Sequence, residues 1–404
     1  MKIIDIEVMP INPRLAARNA DQKARFSGID TQTIFRVTTD NGIVGYGDSR
    51  GHVTMPASSL EPLIDRTPFD FLGADLPSGL MGALYDVMGK HLEVPAYKLI
   101  GQKVRDRVPV AAWTRPASPS DLASEVQRAA AEGYRIFKIH TCEHYDVFEQ
   151  TRAVEAVAPA GFKMHYDFNH NRPLTAVLRI IQELEKSPVV GFIEDPLLLR
   201  DIDGWRLLRQ KTHLPLLMHV PPLGGGPEII HGCADLYMVG EIGIGRSIRL
   251  GFACAEANVS TVIQLTGGTL CKAMALHLGA VLPNVSHSTN LDDQYEEDVT
   301  GGRIEVCEGS SPVPEGPGLG VEVDEDALAR IADNPPTEIP RHLGVLKLPG
   351  GHTLYTHSFP SVSRLTGFLE GNIRGIGLDV WDDDGSPEFA QVYERVEKEG
   401  PFIE

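Results

Sequence analysis

The chain has 404 residues, 42% hydrophobic and 23% charged, a composition ordinary for a water-soluble globular protein and long enough for two domains or one barrel with additions. With 37 basic against 55 acidic residues the net charge is −18, a field that repels nucleic acid and anionic lipid and argues against both as partners. It repels a small acid substrate as well, so any anion site calls for a local positive cluster such as a metal with a lysine.

Five cysteines (Cys142, Cys233, Cys254, Cys271, Cys307) are widely spaced and form no CxxC pair, which reads as buried free thiols in a reducing compartment. Asp5 and Glu7 interrupt the first apolar stretch, and no run approaches 18 apolar residues. The expectation is no signal peptide, no membrane span and a cytoplasmic location.

Met1 to Pro10 alternates, with Ile4, Ile6 and Val8 against Asp5 and Glu7, as a half-buried strand does. Thr31 to Thr39 reads as a second strand, and the turn Asp40-Asn41-Gly42 leads to a third at Ile43 to Gly47, so an antiparallel hairpin is expected. Asn12 to Gly28, polar and basic, reads as a connection. Residues 58 to 101 carry helical spacing (Leu80, Leu84, Val87, Met88) and complete a separate α+β unit.

Val108 to Trp113 begins a repeating pattern. Ser118-Pro119-Ser120-Asp121 is a capped helix start, and Gly133 closes that helix. Helices are expected near 145–158, 174–186, 201–211, 246–257 and 270–281, with strands near 236–239, 260–264 and 284–287. The fifth unit leaves room only for a short helix, because Pro221-Pro222-Leu223-Gly224-Gly225-Gly226-Pro227 replaces an ordinary loop. The stretch after Ser310 turns rich in Pro and Gly, and the tail from Arg341 carries aromatics and β-formers that predict folded structure.

Four short apolar runs end on polar residues: Lys138 and His140; Asp167 and Asn169; Glu194 and Asp195; and His219. The intervals Lys138 to Asp167, Asp167 to Glu194 and Glu194 to His219 are 29, 27 and 25 residues, the length of a strand with its crossover helix. A (β/α)8-type barrel gathers such strand ends at one mouth. Two carboxylates, an imidazole and an amine then share one site.

On these residues the chain resembles the enolase superfamily, and within it the mandelate racemase and muconate lactonizing enzyme group. The carriers are Lys138-x-His140, which looks like that group's Lys-x-Lys; Asp167-x-Asn169; Phe192-Ile193-Glu194-Asp195-Pro196; Gly267-Gly268-Thr269-Leu270; and Pro314-Glu315-Gly316-Pro317-Gly318-Leu319-Gly320. The resemblance spans roughly residues 1 to 330. It implies an α/β fold: an N-terminal α+β capping domain (1–107), a barrel (108–320), and a C-terminal segment (321–404) that completes the cap. It also implies a divalent metal at the ends of the third, fourth and fifth barrel strands, a small-molecule carboxylate substrate, and a homo-oligomer. The chemistry is removal of a proton beside a carboxylate, which demands positive charge on the developing anion and a nearby base of adjusted pKa.

Asp167, Glu194 and His219 are the implied ligands. The pattern calls for a third carboxylate where His219 stands. An all-carboxylate set suits Mg²⁺, the first expectation, whereas an imidazole opens the site to Mn²⁺ or another transition metal. Lys138 and His140 lie two apart on one strand and so point to one side. His140 is assigned as the base and Lys138 as its electrostatic partner or a substrate contact, the reverse assignment staying open, since lysine with a reference pKa of about 10.4 requires a larger shift. Asn169, Glu241, Gln264 and His287 are candidate substrate contacts, as is Asp48. Asp195 is a candidate cap of the next helix, and Lys272, where the lactonizing enzymes carry Glu, is read as facing solvent. His52, His165 and His170 read as structural or surface residues.

The sixth strand ends at Gly240 and Glu241 where lactonizing enzymes carry a lysine, and the seventh offers Gln264, so a second base is not visible. One base serves an elimination, because it can return its proton to the leaving group. A dehydratase of an acid sugar or similar hydroxy acid is therefore the leading reading. A racemase, epimerase or cycloisomerase, and a catalytically inactive barrel acting as a binding or structural protein, are the alternatives.

Overall fold

The computed structural model describes residues 1–18, 29–142, 144–169, 172–357 and 373–404; the expected connection at Asn12 to Gly28 lies mostly outside them, as does His170. Eight parallel strands follow one another in sheet order: β4 (Arg107–Thr114), β5 (Ile136–His140), β6 (Lys163–Asp167), β7 (Val190–Glu194), β8 (Leu216–Met218), β9 (Leu236–Gly240), β10 (Ser260–Gln264) and β11 (Val285–Thr289). β11 pairs back onto β4 through Ser288 and Thr289, which closes the barrel. Before it come β1 (Ile3–Ile11), β2 (Gln32–Thr39) and β3 (Val44–Arg50), an antiparallel sheet. The fold class expected from the strand spacing is the one observed.

The helices between barrel strands also fall where the periodicity places them: Pro119–Ala131, Val147–Glu155, Leu174–Leu184, Ile202–Arg209, the short Gly226–His231, Ile244–Glu256 and Thr269–Val281. We label the helix Ser78–Leu92 α1 and the helix Thr269–Val281 α2. Three local expectations are corrected. Ile4 is exposed and Ile3 buried, because the β1–β2 register shifts between Ile3 and Asp5 and inverts the alternation. Asp201, not Asp195, caps Ile202–Arg209, by accepting from the Gly204 amide. Cys307 is exposed, although the other four thiols are buried as expected.

By contacts the chain divides into two units, 1–113 with 132–136 and 218–337, and 114–131 with 137–217 and 338–404. In the first, glycine lets α1 lie directly on β3: a Cβ at Gly47 would stand 2.1 Å from the Gly79 carbonyl oxygen. Asp86 of α1, buried, accepts from the Tyr46 amide at 2.9 Å, the Lys90 ammonium at 2.7 Å and the Leu319 amide at 2.8 Å. Gly318 must be glycine there, since its φ is +71° and a Cβ would fall 2.1 Å from the Asp86 carboxylate. The Pro314 to Gly320 motif is thus a clasp between this capping helix and α2, whose His277 Nε2 donates to the Leu319 carbonyl at 3.1 Å.

Burial lowers the pKa of His277 from 6.5 to about 4, against the pull of that hydrogen bond. Between those values the unfolded chain binds a proton that the folded chain refuses, so the contribution is whole above pH 6.5 and is lost as pH falls toward 4. It amounts to about 3 kcal/mol at most. His277→Gln, whose amide can still donate to Leu319, is expected to lose less thermal stability than the native chain between pH 7 and 4.5. Scanning calorimetry of both proteins across that range checks it; parallel curves would contradict it.

In the second unit, four strands form a sheet of their own, ordered Gly377–Asp382, His342–Lys347, Thr353–Thr356 and Phe402–Ile403, with Phe389 and Val396 of the helix Pro387–Glu399 packed on Leu343. This segment groups with the second unit rather than with the N-terminal sheet; only the stretch up to 337 groups with the latter. Its anchor is Arg374, whose Nε donates to Asp146 at 2.8 Å while its guanidinium covers the Phe148 ring. Among the described residues no helix is long and apolar enough to cross a membrane.

Candidate active site

Strand parity builds the site. Lys138 and His140 on β5, His165 and Asp167 on β6, and Phe192 and Glu194 on β7 are pairs two apart, and each pair shares a side of its strand. The β6–β7 register sets Asp167 opposite Glu194 and His165 opposite Phe192. Lys138 Nζ lies 2.6 Å from Glu194 Oε2 and 3.3 Å from Asp167 Oδ2. His165 Nε2 lies 2.7 Å from the same Glu194 oxygen, and His140 Nε2 lies 3.4 Å from Asp167 Oδ2. Lys138, His165, Asp167 and Glu194 are all buried, whereas the His140 side chain keeps 33% of its surface open.

Asn169 supports this group from behind. Its φ of +54° closes a turn in which its amide N–H donates to Asp167 Oδ1 at 2.9 Å, while its side chain donates to the Thr141 carbonyl at 3.2 Å. Thr141 in turn donates its backbone N–H to the Asp167 carbonyl at 2.8 Å. The ends of β5 and β6 are thereby tied together on either side of the carboxylate.

Burial lowers the pKa of both His140 and His165, and the positive charge of Lys138 adds to it; Asp167 and Glu194 pull the other way and do not prevail. With its pKa at about 4, the His140 imidazole is neutral at pH 7. Asp167 and Glu194 both face the Lys138 ammonium, and buried carboxylates are costly unless positive charge meets them. The donor set, two hard carboxylate oxygens with imidazole nitrogen at hand, fits a divalent cation of the Mg²⁺ to Mn²⁺ range.

A second group lies in the first unit. Glu241, just past β9, accepts from Thr266 Oγ1 at 2.7 Å and Gln264 Nε2 at 3.2 Å, and its Oε2 is 3.3 Å from His219 Nε2. Burial raises the Glu241 pKa, but bonding and charge from His219, the Thr266 hydroxyl and the positive charge of Arg50 outweigh it and hold it at about 2. A carboxylate on an imidazole fixes the ring's orientation and tautomer, which is what a histidine ligand requires. Ser49, Arg50, Ser78, Glu241, Thr266 and Cys271 line a cavity of about 320 Å³.

Other candidates go elsewhere. Lys272 does not face solvent: it is buried in α2, with Nζ donating to Asp292 and to the Ile304 carbonyl, both at 2.9 Å. Asp48 is no substrate contact in this arrangement, because its two oxygens accept from the Gly268 and Cys271 amides at the start of α2. His287 is fully buried on β11, its Nδ1 3.1 Å from Ser286 Oγ. His165, set aside in the sequence, belongs to the site. Its place two residues before Asp167 on one strand was the signal.

Residues 121–219 and 233–327 match the family model for the enolase C-terminal domain-like fold. A D-galactonate dehydratase of Verminephrobacter eiseniae is 32% identical over 45% of this chain and 56% of its own length, and one of Variovorax paradoxus is 25% identical over 74% and 91%. The solved N-succinyl Arg/Lys racemase of Bacillus cereus superposes with a TM-score of 0.69 at 23% identity, covering 83% of this chain and 99% of its own. The matched residues take in seven of the eight barrel strands and both carboxylates, Asp167 and Glu194. In its barrel the chain is similar to the enolase C-terminal domain-like family over just under half of its length.

Proposed function

We propose that this enzyme is a divalent-metal-dependent dehydratase of an acid sugar or similar hydroxy acid. The observation that carries the reading is the buried set of Asp167 and Glu194 facing Lys138 with His140 at its open edge. The naming of the sequence relatives as D-galactonate dehydratases supports the choice of an acid sugar. By the resemblance, Asp167 and Glu194 would hold an ion together with His219, Mg²⁺ first and Mn²⁺ next because of His219.

When bound, the ion supplies positive charge to the substrate carboxylate and so lowers the cost of removing the neighbouring proton. His140, partly open, takes that proton on its imidazole. Lys138 contributes its fixed positive charge beside it. For elimination the electron pair left on carbon forms the double bond, the C–O bond at the next carbon breaks, and His140 returns its proton to the departing hydroxide as water. Glu241, Gln264 and Thr266 offer polar contacts to substrate hydroxyls, and Asn169 positions Asp167.

A racemase requires a second base on the other face, and the available group, Glu241, is already engaged by His219, Gln264 and the Thr266 hydroxyl. The proposal includes a homo-oligomer, supported by the exposed apolar side chains Val220, Leu223 and Ile230.

Incubation in D₂O with a panel of aldonic and aldaric acids, amino-acid derivatives and aromatic hydroxy acids, with Mg²⁺ or Mn²⁺, tests the reading by mass spectrometry. The expected outcome is loss of a water mass from a sugar acid. Deuterium uptake with inversion and no loss of water would replace dehydration by racemisation. Silence across the panel, with no bound ion, would overturn the proposal.

A further inference from the structure

We propose that the first unit holds a second small-molecule site, for a polyhydroxy carboxylic acid, in the cavity lined by Tyr134, Lys272, Asp292 and Arg303. The cavity measures about 380 Å³, the size of a small-ligand pocket, and none of its lining residues belongs to the set assigned to catalysis above. Its floor is three buried polar side chains with bonding capacity left over. Lys272 Nζ donates to Asp292 Oδ2 and to the Ile304 carbonyl, both at 2.9 Å, which uses two of the three N–H groups of an ammonium. Asp292 takes that bond on one oxygen, and its Oδ1 accepts from no described residue. Tyr134, 4% exposed, has no hydrogen-bond partner among the described residues. Burial first, and then the charges of Asp292 and Asp293, push its pKa well above the ordinary value against the pull of Arg303. At neutral pH it is a phenol able both to donate and to accept. Buried polar groups short of partners forgo hydrogen bonds that a ligand can restore.

The charges select the ligand. Lys272 and Asp292 neutralise each other, and at the rim Glu305 lies 3.6 Å from Arg107 while Glu132 is engaged as well. Arg303, exposed at the same rim, has no ion pair among the described residues, although its charge reaches both Tyr134 and Asp292. The unmatched charge is therefore one guanidinium, whose planar fork fits a carboxylate. Beyond it, the Lys272–Asp292 pair and the phenol present donors and acceptors together. That mixture suits hydroxyl groups, each of which gives one hydrogen bond and takes others. A simple anion would leave the floor unsatisfied, and a neutral polyol would leave Arg303 unmatched. A sugar acid meets both ends. The class coincides with that proposed for the substrate but follows from this cavity alone.

The test is titration calorimetry of D-gluconate into the full-length native protein, Arg303→Ala and Tyr134→Phe, each with Mg²⁺ and again with EDTA. Arg303 is exposed and Tyr134→Phe keeps the ring, so both variants are expected to melt as the native protein does. The native protein is expected to bind gluconate in EDTA, where this cavity needs no ion. Arg303→Ala is expected to weaken that binding roughly 10- to 100-fold, the worth of hydrogen bonds to a charged group, and Tyr134→Phe, which removes a single oxygen, roughly 2- to 10-fold. D-Glucitol lacks the carboxylate and acetate lacks the hydroxyls, so each is expected to bind roughly 10-fold or more weakly than gluconate. Binding in EDTA that Arg303→Ala leaves unchanged, or no binding in EDTA at all, would overturn the site. Acetate or glucitol binding as well as gluconate would overturn the ligand class. The metal-dependent reading is judged separately, on the binding that appears only with Mg²⁺.

Discussion

Replacing His140 with alanine is expected to lower α-deuterium exchange and turnover by roughly 10²- to 10⁴-fold, the usual worth of a positioned general base, while metal content stays at the native level. The side chain lies beside Asp167 yet keeps a third of its surface open, so it can meet a substrate from the mouth of the site without serving as a ligand. Burial keeps it neutral and able to accept a proton. Lys138 differs on each count: it is fully buried and its ammonium is committed to Glu194 and Asp167. Exchange rates measured in D₂O alongside elemental analysis separate the two roles. Retained exchange in His140→Ala would move the base to Lys138.

The second large effect is expected from Glu194→Gln. Loss of this carboxylate takes from the Lys138 ammonium the nearer of its two buried carboxylates and sets an uncharged amide beside His165. Removing one member of a buried ion pair costs roughly 3–5 kcal/mol, so the melting temperature is expected to fall even without metal. Stabilisation by Mn²⁺, which in the native protein grows with ion concentration, is expected to disappear. Thermal melts with and without 1 mM Mn²⁺, on the order of a saturating dose for such sites, check both effects. A variant that still gains stability from the ion would remove Glu194 from the ligand set.

Much of this was legible in the sequence because barrel strands repeat. The spacing from Lys138 to Asp167 to Glu194 marks strand ends, and a closed parallel sheet leaves such ends one common mouth. The period of two within a strand predicts which neighbours share a side, and it pairs Lys138 with His140. Applied to Asp167 it also predicts His165, whose role was hidden only because an isolated histidine in an apolar run is ordinarily structural. Lys272 misled for the opposite reason: a lysine early in a helix reads as solvated, and its buried partner, Asp292, stands 20 residues away across a strand and its loop. Asp48 and the clasp at Gly318 depend on contacts between residues more than 200 positions apart, which local pattern does not encode. The C-terminal sheet was legible as folded structure, whereas the contact of Arg374 with Asp146, 228 positions away at the cap of a helix, was not.

The central claim is that Asp167, Glu194 and His219 bind one divalent ion from which Lys138 has withdrawn. Anomalous diffraction from crystals grown with Mn²⁺ tests it most directly. The account predicts a single strong peak touching those three side chains, with the Lys138 ammonium displaced from Glu194; a peak elsewhere, or none with Lys138 still between the two carboxylates, would contradict it.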